Sequence, residues 1–277
     1  NNSIFTGGYI GNEYMLHKIR PTGRDDVNFG FNGFRFFDYG TVFNNRLEEI
    51  IKYPGGKTIL IGNISPAASV AGRNTSLMGS SVIRLMPDGN PDTTFGIKGK
   101  VFITIPFFNF WPATGVVQPD GKIVIAVRAS LYDAAVVLDR LVLFRLNSNG
   151  SLDNSFGTQG IFFIPQQGLT PVPPSPMMGL ALQADGKIIL GDITAEAISV
   201  NSGFTVRNSP AVFRIKPEGI LDSSFAVNGR FLNRFGYNNY QIRSLIVQSD
   251  GKILVGGNTL STSPVNASWL MFRLNPG

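Results

Sequence analysis

Short apolar runs, rich in Ile, Val, Leu and Phe, punctuate this chain from end to end, and turn residues close each one. Typical runs are TILIG at 58–62, IVIAV at 123–127, IILG at 188–191 and ILVGG at 253–257. They show little period-two alternation, which predicts strands buried on both faces of their sheets. No segment carries a sustained 3.6-residue period, so helical repeats are not expected. The runs enter through Asp-Gly or Gly-Gly pairs, at Gly55-Gly56, Asp120-Gly121, Asp185-Gly186 and Asp250-Gly251. Such pairs supply the positive φ of tight hairpins.

The runs belong to a repeat. One anchor reads YPGGKTILIG from Tyr53, QPDGKIVIAV from Gln118, QADGKIILGD from Gln183 and QSDGKILVGG from Gln248; its glycines Gly56, Gly121, Gly186 and Gly251 are each 65 residues apart. A second anchor reads KIRPTGRDDVNFGFNG from Lys18, RLMPDGNPDTTFGIKG from Arg84, RLNSNGSLDNSFGTQG from Arg145 and RIKPEGILDSSFAVNG from Arg214, with RLNPG from Arg273 beginning a fifth copy. Within it Asp26, Asp92, Asp153 and Asp222 each precede a Phe by three residues and a Gly by seven. The Asp is expected to cap a bend by accepting from N–H groups two or three residues on. Gly30, Gly96 and Gly157 offer a left-handed position, and Phe29, Phe95, Phe156 and Phe225 are expected to plug the seam between neighbouring units. The anchor Arg residues are expected to pair with a repeat Asp or a carbonyl.

Each unit reads as four short strands, taken in the order VQ-strand, DGK-strand, RL-strand, FGxxG-strand. This makes the chain all-β, a β-propeller of four-stranded blades and a single repeat domain over residues 1–277. The count is four first strands, five second, five third and four fourth, which implies five blades with incomplete terminal blades. An open stack of sheets is the other architecture compatible with the count.

The two anchors resemble the delta-60 repeat, a family of bacterial repeats in large secreted or surface proteins with the pattern RLNPDGSLDxxFGxxG followed by QPDGKILVxG. The resemblance spans residues 4–277. Lys18 departs from its Arg, Ala226 from its Gly, and Tyr53-Pro54-Gly55 from its QPD. It implies a propeller-like fold and an extracellular or cell-surface setting, and implies no enzyme activity.

Bulk composition narrows the chemistry. Hydrophobic residues make up 43% of the 277, enough for a core, and charged residues 15%. No apolar run approaches the roughly 18 residues of a membrane span. The absence of cysteine excludes disulfides and thiolate metal sites. The net charge of +6 is spread along the chain, so nucleic acid is not an expected partner, although binding to an anionic polymer is a reading the charge allows. The chain begins at Asn1 with neither an initiator Met nor a signal peptide, and reads as a processed or excised piece.

Residues that recur in every unit serve the fold; those found once are free for function. His17, the lone histidine, aligns with Ile83, Phe144, Phe213 and Phe272 and reads as a packed strand residue. The Asn147–Gly150 segment with Asp153 lacks the ligands of a calcium loop. No catalytic residue, cofactor site or metal site is expected. The non-repeating residues fall in loops between the FGxxG-strand and the next VQ-strand, and between the DGK- and RL-strands. Their aromatics, Phe43, Phe107, Phe110, Trp111, Tyr132, Tyr237 and Tyr240, either form a variable binding face for protein or glycan or fold back into the core. The leading expectation is a non-catalytic extracellular module, a scaffold, adhesive or fibre-forming assembly subunit that self-associates through its incomplete end blades. The alternative is a carbohydrate-active hydrolase or lyase using carboxylates of the variable face, where Asp133, Asp139, Asp192 and Glu196 lie.

Overall fold

The computed structural model describes residues 3–11, 13–38, 43–66, 79–106, 108–133, 136–165, 169–170, 179–200, 203–233, 240–260 and 267–276. The strands are β1 (Ile4–Ile10), β2 (Glu13–Ile19), β3 (Phe34–Asp38), β4 (Phe43–Tyr53), β5 (Lys57–Pro66), β6 (Gly79–Leu85), β7 (Lys100–Ile103), β8 (Phe108–Val117), β9 (Ile123–Asp133) and β10 (Val136–Leu146). They continue as β11 (Ile161–Phe163), β12 (Leu169–Thr170), β13 (Gly179–Leu182), β14 (Ile188–Val200), β15 (Gly203–Ile215), β16 (Arg230–Leu232), β17 (Tyr240–Val247), β18 (Ile253–Leu260) and β19 (Ala267–Leu274).

The chain divides into two compact units, residues 1–136 with 145–153, and residues 137–144 with 154–277. The first holds the sheet β1-β2-β3, the sheet β4-β5-β6-β7 and the antiparallel pair β8-β9. The second holds the pair β10-β11, the sheet β13-β14-β15-β16 with β12 added to the far end of β14, and the sheet β17-β18-β19. Sequence neighbours pair antiparallel, the meander of a propeller blade. First strands are β4, β8, β13 and β17; second strands are β1, β5, β9, β14 and β18. The strand types fall in the order the repeat predicts, with no first strand before β1 and no fourth after β19 among the described residues.

Burial on both faces is seen where expected. All seven residues of β6 are buried. β2 differs: it alternates, burying Tyr14, Leu16 and Lys18 and half-exposing the residues between. Tyr14 and Leu16 pack into the core of the first unit with Phe29, Phe37, Leu60, Ile83 and Leu85, so β2 works as a one-faced strand. The core of the second unit gathers Ile189, Val212, Phe225, Ile242, Ile253 and Val255.

A second difference lies between β14 and β15. The segment from Ile193 reads as a variable loop, yet it extends the β14–β15 ladder, which runs for thirteen pairs from Ile188↔Ile215 to Val200↔Gly203. Its β-branched residues, Thr194, Ile198, Val200, Thr205 and Val206, favour the pleated backbone over a loop.

The repeat anchors act as expected. Phe29, Phe95, Phe156 and Phe225 are at most 3% exposed. Each Asp begins a bend: Asp92 Oδ1 accepts from the Thr94 N–H at 3.1 Å and Asp222 Oδ1 from the Ser224 N–H at 3.2 Å. Arg84, Arg145 and Arg214 bind their own repeat Asp through Nε at 2.7–2.8 Å. Arg84 also donates to the Ser148 carbonyl and Arg214 to the Pro276 carbonyl, both in the turn of the next repeat. The backbone adds a second tie, Gly96 N–H to Asn149 O and Gly157 N–H to Glu218 O, each 2.8 Å. His17 sits in β2, with Nε2 2.9 Å from Asp25 and its ring stacked on Phe34, a structural role.

The left-handed position after the Phe is visible in Gly30, Gly96 and Gly157, at φ 54–58°; Ala226 holds the same place at φ 47°. An L-residue pays about 1–2 kcal/mol there, only partly recovered because Gly gains unfolded-chain freedom. Ala226→Gly is therefore expected to raise stability by about 0.5–1 kcal/mol, measured by urea unfolding; a loss of stability would refute the strain.

Candidate functional site

The first strand of a unit should be apolar throughout, and in β4 it is not. Aligned on their hairpins, the four first strands place Glu48-Glu49 against Ala113-Thr114, Met178-Gly179 and Arg243-Ser244. The ladder slips at this place. β4 and β5 shift register between Leu47 and Glu49, leaving Glu48 as the extra residue; β8 shifts between Trp111 and Thr114, and β17 between Ile242 and Ser244. A bulge turns a side chain away from the strand's normal alternation, and such bulges gather at functional sites.

At the bulge in β4, Glu48 Oε1 accepts from Asn63 Nδ2 at 3.3 Å and meets Arg46 Nε at 3.2 Å. The Glu48 side chain is 13% exposed, that of Arg46 62%. Behind them, the Tyr14 hydroxyl lies 2.7 Å from Ser81 Oγ and donates to the Asn63 carbonyl at 3.3 Å. Gly62 makes room for it, since a Cβ there would lie 2.1 Å from the Tyr14 hydroxyl oxygen. In the second unit the same column repeats the contact with the opposite charge: Arg243 Nε donates to Asn258 Oδ1 at 2.9 Å.

Glu49, next along β4, accepts from the Gly115 N–H at 2.6 Å and from the Thr114 side chain, both on β8. Burial pushes the Glu48 carboxyl up, against the opposing pull of Arg46 and Asn63. Burial also pushes Glu49 up, opposed by Gly115 and Thr114. Burial, helped by the charge of Glu48 and opposed by the Ser81 hydrogen bond, pushes the Tyr14 phenol far above its usual range and keeps it neutral. The arrangement offers two adjacent carboxyls inclined to hold a proton, a neutral phenol and an exposed guanidinium.

The aromatic residues singled out in the sequence are placed unequally. Phe110 is fully buried on β8 and belongs to the core, a correction to its place on a binding face. Trp111 is half-buried, and its indole N–H has no hydrogen-bond partner among the described residues. The backbones of Phe43, Tyr132 and Tyr240 lie in β4, β9 and β17; Phe107 and Tyr237 lie outside the described residues. Of the four acids read on the variable face, Asp192 is fully buried on β14, and Asp133, Asp139 and Glu196 occupy β9, β10 and β14. The Glu48-Glu49 pair escaped that reading because it sits inside a strand. The signal was the aligned column, where two acids stand against Ala113-Thr114, Met178-Gly179 and Arg243-Ser244.

Three stretches, residues 79–95, 118–156 and 248–276, match the family described as "Domain of unknown function (DUF5122) beta-propeller". No curated protein matches the sequence. Among solved structures the chain is similar to an endo-arabinase from Bacteroides thetaiotaomicron, at 10% identity and a TM-score of 0.51, over 99% of this chain and 89% of that one. It is also similar to an ulvan lyase bound to -[GlcA(1-4)Rha3S]- (12% identity, TM-score 0.47, 97% and 68% covered). A third is an alpha-L-arabinanase from Penicillium chrysogenum complexed with arabinobiose (11% identity, TM-score 0.45, 94% and 85% covered). The chain has a β-propeller fold. The comparison corrects the expectation of a non-catalytic scaffold, adhesive or assembly module. The protein of similar fold along nearly the whole chain is an endo-arabinase, and chemistry on a fold rests on particular side chains, which a search for repeat-borne motifs passes over.

Proposed function

We propose that this chain is a carbohydrate-active enzyme, a polysaccharide hydrolase, with the Glu48-Glu49 bulge of β4 as its acid–base centre. The observation that carries this reading is the pair itself, two adjacent half-buried carboxyls both raised by burial on a strand whose counterparts carry none. Glycoside hydrolysis needs such a pair, one carboxyl protonated and one ionised. Glu48, the general acid, protonates the leaving-group oxygen as the sugar–oxygen bond breaks. The ionised form of Glu49, whose two donors oppose the larger effect of burial, supports the developing positive charge or takes a proton from the attacking water. Arg46, whose side chain is exposed, stands ready to bind sugar hydroxyls. Residues 1–277 act as one domain of the delta-60 repeat kind, in a bacterial extracellular or cell-surface setting.

The test is release of reducing ends from arabinan and from a uronate-containing polysaccharide. Glu48→Gln is expected to lower the rate about 100-fold with the melting temperature kept. Because the acid form of Glu48 works, activity should fall as pH rises through its raised pKa. Wild-type protein inactive on both polymers, or Glu48→Gln as active as wild type, would overturn the reading.

A further inference from the structure

The tight hairpins differ at one point, and the difference opens a second site. In three of them Asp120, Asp185 and Asp250 stand two residues before the lysine. Each carboxylate accepts from that lysine's backbone N–H at 3.0–3.1 Å; Asp185 and Asp250 also hold the ammonium, while Lys122 lies 3.9 Å from Asp120 and 2.9 Å from its repeat Asp153. In the hairpin from Tyr53 to Lys57, Gly55 holds the place of the acid. Lys57 therefore has the repeat acid Asp92, 2.7 Å away, and no hairpin acid beside it.

Beside this hairpin, in the first unit, lies a pocket of about 150 Å³ whose walls include Phe5, Lys18, Lys52, Tyr53, Lys57 and Pro87. Lys18 Nζ is held by Asp26 at 3.2 Å and by the Pro87 carbonyl at 3.3 Å, and lies over the Phe5 and Phe29 rings. Lys52 is exposed and forms no ion pair among the described residues. The acids behind the pocket, Asp26 and Asp92, are already shared with Arg20 and Arg84. Four cations, Lys18, Arg20, Lys57 and Arg84, thus share two carboxylates, Lys52 adds a fifth positive charge, and the acid that the other hairpins carry is missing.

We propose that this pocket is an anion subsite that takes one sulfate or carboxylate substituent of an acidic polysaccharide. Its volume suits a single charged group. The flanking Phe5 and Tyr53 rings give a sugar an apolar wall, which a free inorganic anion does not need. The site is separate from the Glu48 centre and stands whether or not that centre hydrolyses glycans.

The experiment is calorimetric titration of the whole chain with a sulfated oligosaccharide, a uronate oligosaccharide, a neutral arabino-oligosaccharide and inorganic sulfate, each at two salt concentrations. An acidic oligosaccharide is expected to bind, more weakly at higher salt, and at least tenfold more tightly than inorganic sulfate or the neutral sugar. Lys52→Glu should weaken it about tenfold or more with unchanged melting temperature, and Glu48→Gln should leave it intact. Failure of every acidic oligosaccharide to bind, or equal binding by Lys52→Glu, overturns the proposal. Inorganic sulfate binding as tightly as the oligosaccharides refutes the glycan subsite in favour of a simple ion site.

Discussion

Asp92→Ala is expected to cost about 3–5 kcal/mol at neutral pH, because it strands buried positive charge. Asp92 is 3% exposed and gathers Arg84 Nε at 2.8 Å, Lys57 Nζ at 2.7 Å, and the Thr94 N–H and hydroxyl at 3.1 and 2.6 Å. Arg84 is equally buried and reaches from its own repeat to the Ser148 carbonyl of the next. Without the carboxylate, that guanidinium keeps its desolvation cost and loses its counter-charge. The same residue links stability to acid. Burial alone would raise the Asp92 carboxyl, but the Lys57 and Thr94 hydrogen bonds and the Arg84 charge outweigh it and hold it well below the usual carboxylate range. A depressed folded pKa gives stability that is complete above the unfolded value, about 4, and is lost as pH falls through the folded one. Urea unfolding should therefore show the gap between wild type and Asp92→Ala narrowing below about pH 4. A cost under about 1 kcal/mol at pH 7, or one that does not change with pH, would refute the account.

The parts of the fold legible in the sequence were those the repeat states several times over. The Asp–Arg pairs, the buried Phe residues and the order of strand types each occur in several copies, so one reading was checked against the others within the chain. Local chemistry sufficed for them: an Asp two residues before an N–H caps a bend wherever it occurs. The extension of β14 and β15 beyond the repeated core was not legible as strand, because small and polar residues mask its β-branched pattern.

The site was harder to read for a related reason. Phe110 looked like a loop aromatic because Pro106 and Pro112 flank it, yet its place in β8 turns it into the core. Glu48 and Glu49 drew no reading from the sequence. Only the register slip between β4 and β5 shows that one of them is an inserted residue with its own direction. A bulge depends on the pairing of two strands, and a single strand's sequence does not encode it. The Gly55 substitution was visible as a departure from the repeat, but its effect on local charge needed Lys18, 37 residues earlier in the chain, to be placed beside it.

The seam between repeats gives the other large effect. Phe156→Ala is expected to cost about 3–5 kcal/mol, the range for removing a fully buried Phe. Phe156 is 0% exposed, and the turn of the next repeat comes down on its ring: a Cβ added at Gly219 would lie 2.8–2.9 Å from ring carbons. The neighbouring Gly157 N–H to Glu218 carbonyl bond pins that turn at 2.8 Å, so the backbone is not free to sink into the space the ring leaves. The cavity should persist rather than collapse, which puts the loss toward the upper end of the range. In a chain of this size that corresponds to a fall in melting temperature on the order of 10 °C. Phe156→Leu, which refills most of the volume, should lose far less. An unchanged melting temperature in Phe156→Ala would show that the ring does not hold the two repeats together.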